Sequence, residues 1–228
     1  MIVKTRGIVI NYIKYQESSI IVRAFTEDSG MNSYIVNGVR SSRSKKSIGF
    51  FQPFSLLDLI AYVNPNRDIQ RLSEWKTFQP TFQIHQNISK STITLFLSEV
   101  LGKILVHEPD ENKGLFEFLC NAIATLEALD SNVHHFHLHF LLNMIPHLGF
   151  GISDGDELVN SMELENVHND RAAIELITQM LNSDLSIPIA SNATTRLAAL
   201  ETVLSYFNHH NLQVGEIKSL KVLHQVFG

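Results

Sequence analysis

Cysteine is nearly absent from this chain. Among 228 residues there is one, Cys120, so neither a disulfide framework nor a cysteine-based zinc site can form within a single copy. Long hydrophobic runs are missing as well. No window approaches 18 consecutive apolar residues, which argues against a transmembrane helix and against a membrane partner. The start, Met1-Ile2-Val3-Lys4-Thr5-Arg6, has no basic segment, apolar block and small-residue cleavage site in succession, as a signal peptide would. A cytoplasmic protein is expected. The glycine-rich phosphate loops GxGxxG and GxxxxGK[ST] do not occur, nor do GxSxG or HExxH, and no serine is marked out as a nucleophile. An enzyme is therefore not expected, and no cofactor is implied. Internal repeats and low-complexity tracts are also lacking.

What is present is an ordinary globular composition, 44% hydrophobic and 18% charged, with enough length for one large or two modest cores. The net charge of −5 hides an asymmetry. Residues 1–80 carry 11 basic and 6 acidic side chains, whereas residues 81–228 carry 7 and 17. Halves of opposite sign suggest that one faces a polyanion and the other faces something else.

Residues 1–80 read as β-structure. Gly7–Ile13, Ser19–Phe25, Met31–Val36, Phe54–Val63 and Ile69–Phe78 are short runs rich in β-branched and aromatic residues, separated by polar breaks. Gly30, ending Glu27-Asp28-Ser29-Gly30, is free to take the positive φ of a hairpin loop. Five such strands fit a small barrel or an open sandwich. Pro80 closes this part, and from about Asn87 the apolar period changes from two to 3.6. Stripes run Ile93–Leu105, Leu115–Leu129 and Val133–Leu148, the last stopped by Pro146. Gly149–Asn169 reads as a polar connection. Helices resume at Arg171–Leu181, with Asp170 as N-cap, at Thr194–Phe207 and at Ile217–Phe227. The expected organisation is a β domain, residues 1–80, followed by an all-α domain, residues 81–228.

Three clusters invite a chemical reading. His134, His135, His137 and His139 crowd one helix, and the i,i+4 pair His135/His139 could share a metal. No adjacent carboxylate completes a ligand set, so a partly exposed polar helix face is the expectation. The run Asp154-Gly155-Asp156-Glu157 lacks the alternating ligands of a calcium loop and reads as a solvated loop. The third cluster is Gly38-Val39-Arg40-Ser41-Ser42-Arg43-Ser44-Lys45-Lys46-Ser47. Its cations Arg40, Arg43, Lys45 and Lys46 stand between strands three and four, on what reads as a surface loop. Such a loop beside a small barrel can follow a phosphate backbone while aromatics stack on bases. Four phosphate contacts on a single strand give a log–log salt slope of about −3. Tyr12, Tyr15, Tyr34, Phe50 and Phe51 are the candidate stacking platforms. An idle solvated loop is the alternative for the basic stretch.

The segments Gly7-Ile8-Val9, Tyr15-Gln16-Glu17-Ser18-Ser19-Ile20-Ile21-Val22, Phe25-Thr26-Glu27-Asp28-Ser29-Gly30, Gly38-Val39-Arg40-Ser41-Ser42-Arg43, Phe51-Gln52-Pro53-Phe54-Ser55, Leu148-Gly149-Phe150 and Glu216–Leu223 follow one another in an order that resembles the bacterial RecO family. The resemblance implies an N-terminal OB-fold and a C-terminal helical domain. It implies binding of single- and double-stranded DNA, annealing of complementary strands, and work with RecR to load RecA onto DNA coated by SSB, without catalytic turnover. Many relatives have a four-cysteine zinc site after the Leu148-Gly149-Phe150 element. Residues 151–170 contain no cysteine, so that segment must hold its shape otherwise. On this reading the DNA surface centres on Arg40, Arg43, Lys45 and Lys46, with Lys4, Arg6, Arg23, Arg67 and Arg71 as additions. The family also binds the acidic, apolar C-terminal tail of SSB through its helices. Here only Lys90, Lys103, Lys113, Arg171, Arg196, Lys218 and Lys221 could supply the positive spot such a tail needs. Two other readings compete: a non-enzymatic protein–protein adaptor with an OB-like barrel, and a metal enzyme built on His134–His139.

Overall fold

The structure is a computed structural model that describes residues 1–41, 48–108, 110–162 and 170–227. Arg43, Lys45 and Lys46 lie outside these residues. Five strands, β1 (Ile2–Tyr15), β2 (Ser19–Thr26), β3 (Gly30–Val36), β4 (Leu56–Tyr62) and β5 (Ile69–Gln79), close into a barrel in the order β1-β2-β3-β5-β4. All pairs are antiparallel except β3 with β5. β1 extends beyond the run 7–13 at both ends because it works twice. Its first half pairs with β4 and its second half with β2, which is what closes the sheet. One circuit of the wall, from Ile2 through Tyr62, Arg71, Ile35 and Ile21, returns to β1 at Ile13. At the β2–β3 hairpin Gly30 has φ +61°, as the turn requires, and its carbonyl accepts the Thr26 hydroxyl at 2.9 Å.

β1 shifts register between Val9 and Asn11, and Ile8, Val9 and Ile10 are all buried. The bulge lets this strand serve two cores. Val9 joins Val22, Ala24, Tyr34, Leu57 and Leu59 inside the barrel. Ile8 and Ile10, with Phe25, Phe54 and Leu56, join the core of the helical part. Phe54 stacks on Phe140 at 6.3 Å and takes a positive φ of 67°. Phe54 N–H donates to Val9 O at 2.7 Å, and Val9 N–H donates to Ser55 O at 2.9 Å. Those bonds and the burial of the ring, about 2–3 kcal/mol, offset the left-handed backbone, which costs about 1–2 kcal/mol.

The helical part comprises α1 (Phe82–Gln86), α2 (Ile88–Ile104), α3 (Lys113–Ala128), α4 (Phe136–Met144), α5 (Gly155–Asn160), α6 (Arg171–Leu181), α7 (Ala193–His209) and α8 (Leu220–Phe227). Asparagine and aspartate cap several of them. Asn87 accepts from Ser89 and Lys90 N–H, Asn112 from Leu115 N–H, and Asp170 from Ala172 and Ala173 N–H, satisfying donors that have no partner within the helix. α2 lies closest to the barrel: a methyl group on Gly102 would stand 3.2 Å from Asn11 Nδ2. No helix among the described residues is long and apolar enough to cross a membrane.

Two expectations need correction. The acidic run Asp154–Glu157 is not a solvated loop but the start of α5. Asp154 accepts from Glu157 N–H at 2.8 Å, and Glu157 reaches back to Ser153 N–H at 2.8 Å, a reciprocal capping arrangement. Gly155 N–H donates to Thr178 Oγ1 at 2.9 Å, and Leu158 and Met162 are buried, so packing against α6 gives this segment its shape. The histidines are not an exposed polar face either. His135, His137 and His139 are buried, because α4 is surrounded by α2, α3, α6 and α7.

Candidate nucleic-acid interface

The strand register decides which cations share a surface. Residues directly opposite one another on neighbouring strands present side chains to the same face. Asn11, Arg23, Ser33 and Ile69 form one outward row, and Ile13, Ile21, Ile35, Arg71 and Tyr62 form the next. This wall crosses β2 and β3, the face with which OB-folds bind oligonucleotides, along with the loops joining strands one to two and four to five. Arg67 lies in the second of those loops. Its turn is fixed by buried Gln70, which accepts from Asn64 N–H at 2.8 Å and donates to the Asn64 and Arg67 carbonyls. Arg40 lies against the first loop. Its backbone N–H donates to Ser18 O at 3.0 Å and its Nη1 to Gln16 O at 3.0 Å. Both acceptors are carbonyls, so among the described residues the positive charge stays uncompensated. Among the described residues Arg23, Arg67 and Arg71 have no carboxylate partner. Burial of Val39 in the barrel core holds the start of the basic stretch beside this wall.

Lys4 and Arg6 are placed elsewhere, on the wall of β1 and β4. Arg6 Nε donates to Glu27 Oε2 at 2.8 Å, and its Nη2 pairs with Glu27 Oε1. The guanidinium also lies 5.6 Å from the ring centres of both Phe78 and Phe116. The bond to Glu27 raises the Arg6 pKa further and holds the Glu27 carboxyl below its usual range. Arg6 thus fastens the barrel to α3. Lys4 is exposed, in a neighbourhood of mixed sign that includes the Lys76–Asp58 pair at 3.3 Å.

The candidate platforms divide in the same way. Tyr34 is inside the barrel, its hydroxyl pushed up to about 12 by burial. Phe51 is buried 4.9 Å from Trp75, and Tyr12 packs partly into the barrel core. Tyr15 and Phe50 are exposed, as are two aromatics missing from the sequence reading, Tyr62 and Phe82. Strand alternation contains the signal for Tyr62, since Leu57, Leu59 and Ala61 point inward. Phe82 opens a five-residue helix, too short for periodicity to show its face.

On the helical part, a cavity of about 280 Å³ opens among α4, α7 and α8, walled by Leu197, Leu200, Leu223 and Phe227 with Arg196 at its edge. Arg196 donates to the carbonyls of Ser191 at 2.8 Å and Phe227 at 3.2 Å, and no carboxylate neutralises it among the described residues. The other cations differ. Lys90 is buried on Glu127 O at 2.7 Å and Lys103 donates to Val214 O at 2.6 Å. Lys113 pairs with Glu111, and Arg171 with Asp156 and Glu175. Lys218 and Lys221 are exposed outside the cavity. Around the histidines, burial pushes His135 down to about 4 and His137 to about 3. Among the described residues no three His, Cys, Asp or Glu side chains come together as a metal-ligand set.

Comparison with known proteins agrees with this architecture. The family model described as Recombination protein O N terminal matches residues 1–81, and that described as Recombination protein O C terminal matches residues 85–153. The chain is similar to proteins named DNA repair protein RecO from Flavobacterium psychrophilum (34% identical) and Flavobacterium johnsoniae (33% identical), each alignment covering 100% of both chains. It is 30% identical, over the same full coverage, to the protein of that name from Bacteroides fragilis. With its five-stranded OB-type barrel, its helical C-terminal part and full-length likeness to these proteins, the chain belongs to the RecO family of DNA repair and recombination proteins.

Proposed function

We propose that this protein is a non-enzymatic mediator of recombinational repair, acting in the cytoplasm. Residues 1–80 bind single- and double-stranded DNA and bring complementary strands together, while residues 81–228 meet proteins. With RecR it helps load RecA onto SSB-coated DNA. The observation that carries this reading is the outer wall of β1, β2, β3 and β5. It combines Arg23, Arg67, Arg71 and Arg40, none of them neutralised among the described residues, with exposed Tyr15 and, at the end of β4, Tyr62. Arg43, Lys45 and Lys46 continue the charge in sequence from Arg40. Lys4 is a weaker addition on the adjoining wall, and Arg6, already paired, contributes least. Net charges of opposite sign on the two parts of the chain direct the phosphate backbone to the barrel and away from the helices.

Charge reversal tests this. Arg40→Glu with Arg43→Glu, and separately Arg23→Glu with Arg71→Glu, should weaken single-strand binding. Each lost phosphate contact should flatten the salt slope by about 0.7. The second pair guards against a loosened β1–β2 turn, which Arg40 helps to hold. Anisotropy over a salt series with affinity unchanged in both double variants would sink the assignment. The apolar row Ile13, Ile21 and Ile35, with Ile69 in the neighbouring row of the same wall, favours one alternative, an adaptor that binds polypeptide there. That reading requires DNA binding to be weak and nearly independent of salt.

The cavity beside Arg196 fits the acidic, apolar tail of SSB. Its apolar walls suit the hydrophobic side chains, and Arg196 answers a carboxylate. It is the one cation of the seven that combines apolar walls with an uncompensated charge among the described residues.

A further inference from the structure

A second concave surface lies where the 3₁₀ turn Ile48–Phe51 meets α1. The cavity is about 670 Å³, and Phe50, Gln52, Thr81, Phe82, His85 and Gln86 line it. Two phenyl rings face solvent here: Phe50 is 40% and Phe82 66% exposed. Neither is in a ring pair or under a cation among the described residues. Apolar rings left in water forgo much of their burial energy, and two at one concavity are a surface prepared for a flat ligand.

The chemistry around them narrows its identity. Among the described residues, no Asp, Glu, Lys or Arg lines the cavity. His85 lies 3.3 Å from the Thr81 hydroxyl, and burial lowers its pKa, so it is neutral near pH 7. The two glutamine amides, the hydroxyl and the imidazole offer neutral donors and acceptors. A phosphate would find no counter-charge among the described lining residues, and a hydrocarbon chain would leave the polar groups unpaired. A nucleobase has two π-faces and a polar edge, and satisfies both. In sequence, Lys46 stands four positions before Phe50.

We propose that this cavity captures an unpaired nucleobase by stacking on Phe50 and Phe82. The strand's phosphates then meet the cations of the barrel, so the proposal rests on the DNA-binding reading above. A base within a duplex is paired and stacked, so the site discriminates in favour of single strands. It adds a contribution that salt does not screen.

The test uses the full chain and two labelled strands, oligo(dT) and the same strand built from abasic residues. At fixed salt, Phe50→Ala with Phe82→Ala should bind oligo(dT) about 5- to 100-fold more weakly, with the salt slope unchanged. The abasic strand should bind wild type and variant alike, and Phe50→Trp with Phe82→Trp should restore oligo(dT) affinity. Both side chains are exposed, so the melting temperature should not move. A strand containing 5-iododeoxyuridine should photocrosslink to Phe50 or Phe82. Wild-type affinity in the alanine variant, an equal loss for the abasic strand, or crosslinks found only elsewhere would each overturn the proposal. If the arginine reversals weaken binding and the phenylalanine variant does not, the base site alone fails. If wild type binds neither strand at low salt, both readings fail.

Discussion

Arg6 is exposed, basic and on the barrel, yet its guanidinium is committed to Glu27 and to the rings of Phe78 and Phe116. Arg6→Ala removes a partly exposed ion pair and two cation–π contacts, and should lower stability by about 1–2 kcal/mol. Single-strand affinity should change less than twofold. Urea unfolding and anisotropy read the two effects separately, and a loss of affinity matching that of Arg23→Glu with Arg71→Glu would return Arg6 to the DNA surface. A sharper contrast exists between two glycines. A methyl group on Gly155 would overlap the Ile174 carbonyl oxygen where α5 crosses α6, whereas one on Gly151 meets nothing within 4 Å. Gly155→Ala should therefore cost about 1–3 kcal/mol and Gly151→Ala at most about 0.5 kcal/mol. Equal unfolding midpoints for the two would contradict the packing of α5. Neither feature is legible in the sequence. Glu27 stands 21 residues from Arg6, and the neighbour of Gly155 belongs to another helix.

Among the elements, the strands and the longer helices are legible because each shows a solvent-facing side or an apolar stripe long enough to count. The runs 19–25, 31–36 and 69–78 differ from β2, β3 and β5 by a residue at an end. What escapes is what depends on a second element. α5 has six residues, too few for a stripe, though Asp154 and Glu157 spell a capping pattern. α4 looks polar on its histidine face and is buried because helices surround it. α8 depends on α2 in a similar way. Glu99 accepts from Lys218 N–H at 2.9 Å, from Ser219 N–H at 2.8 Å and from the Ser219 hydroxyl at 2.6 Å. These bonds hold its carboxyl below the usual range against the opposing effect of burial. Glu99→Ala leaves those donors without their acceptor and should cost about 1–3 kcal/mol. Leu223 and Phe227 of α8 wall the Arg196 cavity, so the same change should weaken a labelled peptide of the SSB tail. Arg196→Glu should abolish its saturable binding at low salt. Tail affinity unaffected by both substitutions would overturn the proposed placement of the tail in this cavity.

At the scale of the whole molecule, the buried histidines set the pH response. His135 and His137 lie near 4 and 3 because burial disfavours the cation, reinforced by neighbouring positive groups including Arg196. Unfolded, they titrate near 6.5, so below that pH the unfolded chain binds more protons than the folded one. The stability that the neutral rings contribute is complete above about pH 6.5. It falls with pH by up to about 1.4 kcal/mol per unit for each ring, and the loss ends only as the folded pKa values are passed. Calorimetry should show a melting temperature several degrees lower at pH 5 than at pH 7. His137→Phe, which keeps a ring beside Phe96, should reduce the difference. Equal melting temperatures at the two pH values would contradict neutral burial.

The apolar wall that the barrel presents to the helices has a consequence in time as well as space. The last strand ends at Gln79, but the cover over Phe25 and Phe54 arrives only with Phe116 and Phe140. At about 5–20 residues per second, the ribosome needs about 3–12 s to supply those roughly sixty residues. For that interval Phe25 and Phe54 lack these ring partners, leaving a surface open to a holding chaperone or to a neighbouring nascent chain. The bulge at Val9–Asn11, which turns β1 toward two cores, also makes the barrel dependent on sequence that has not yet been translated.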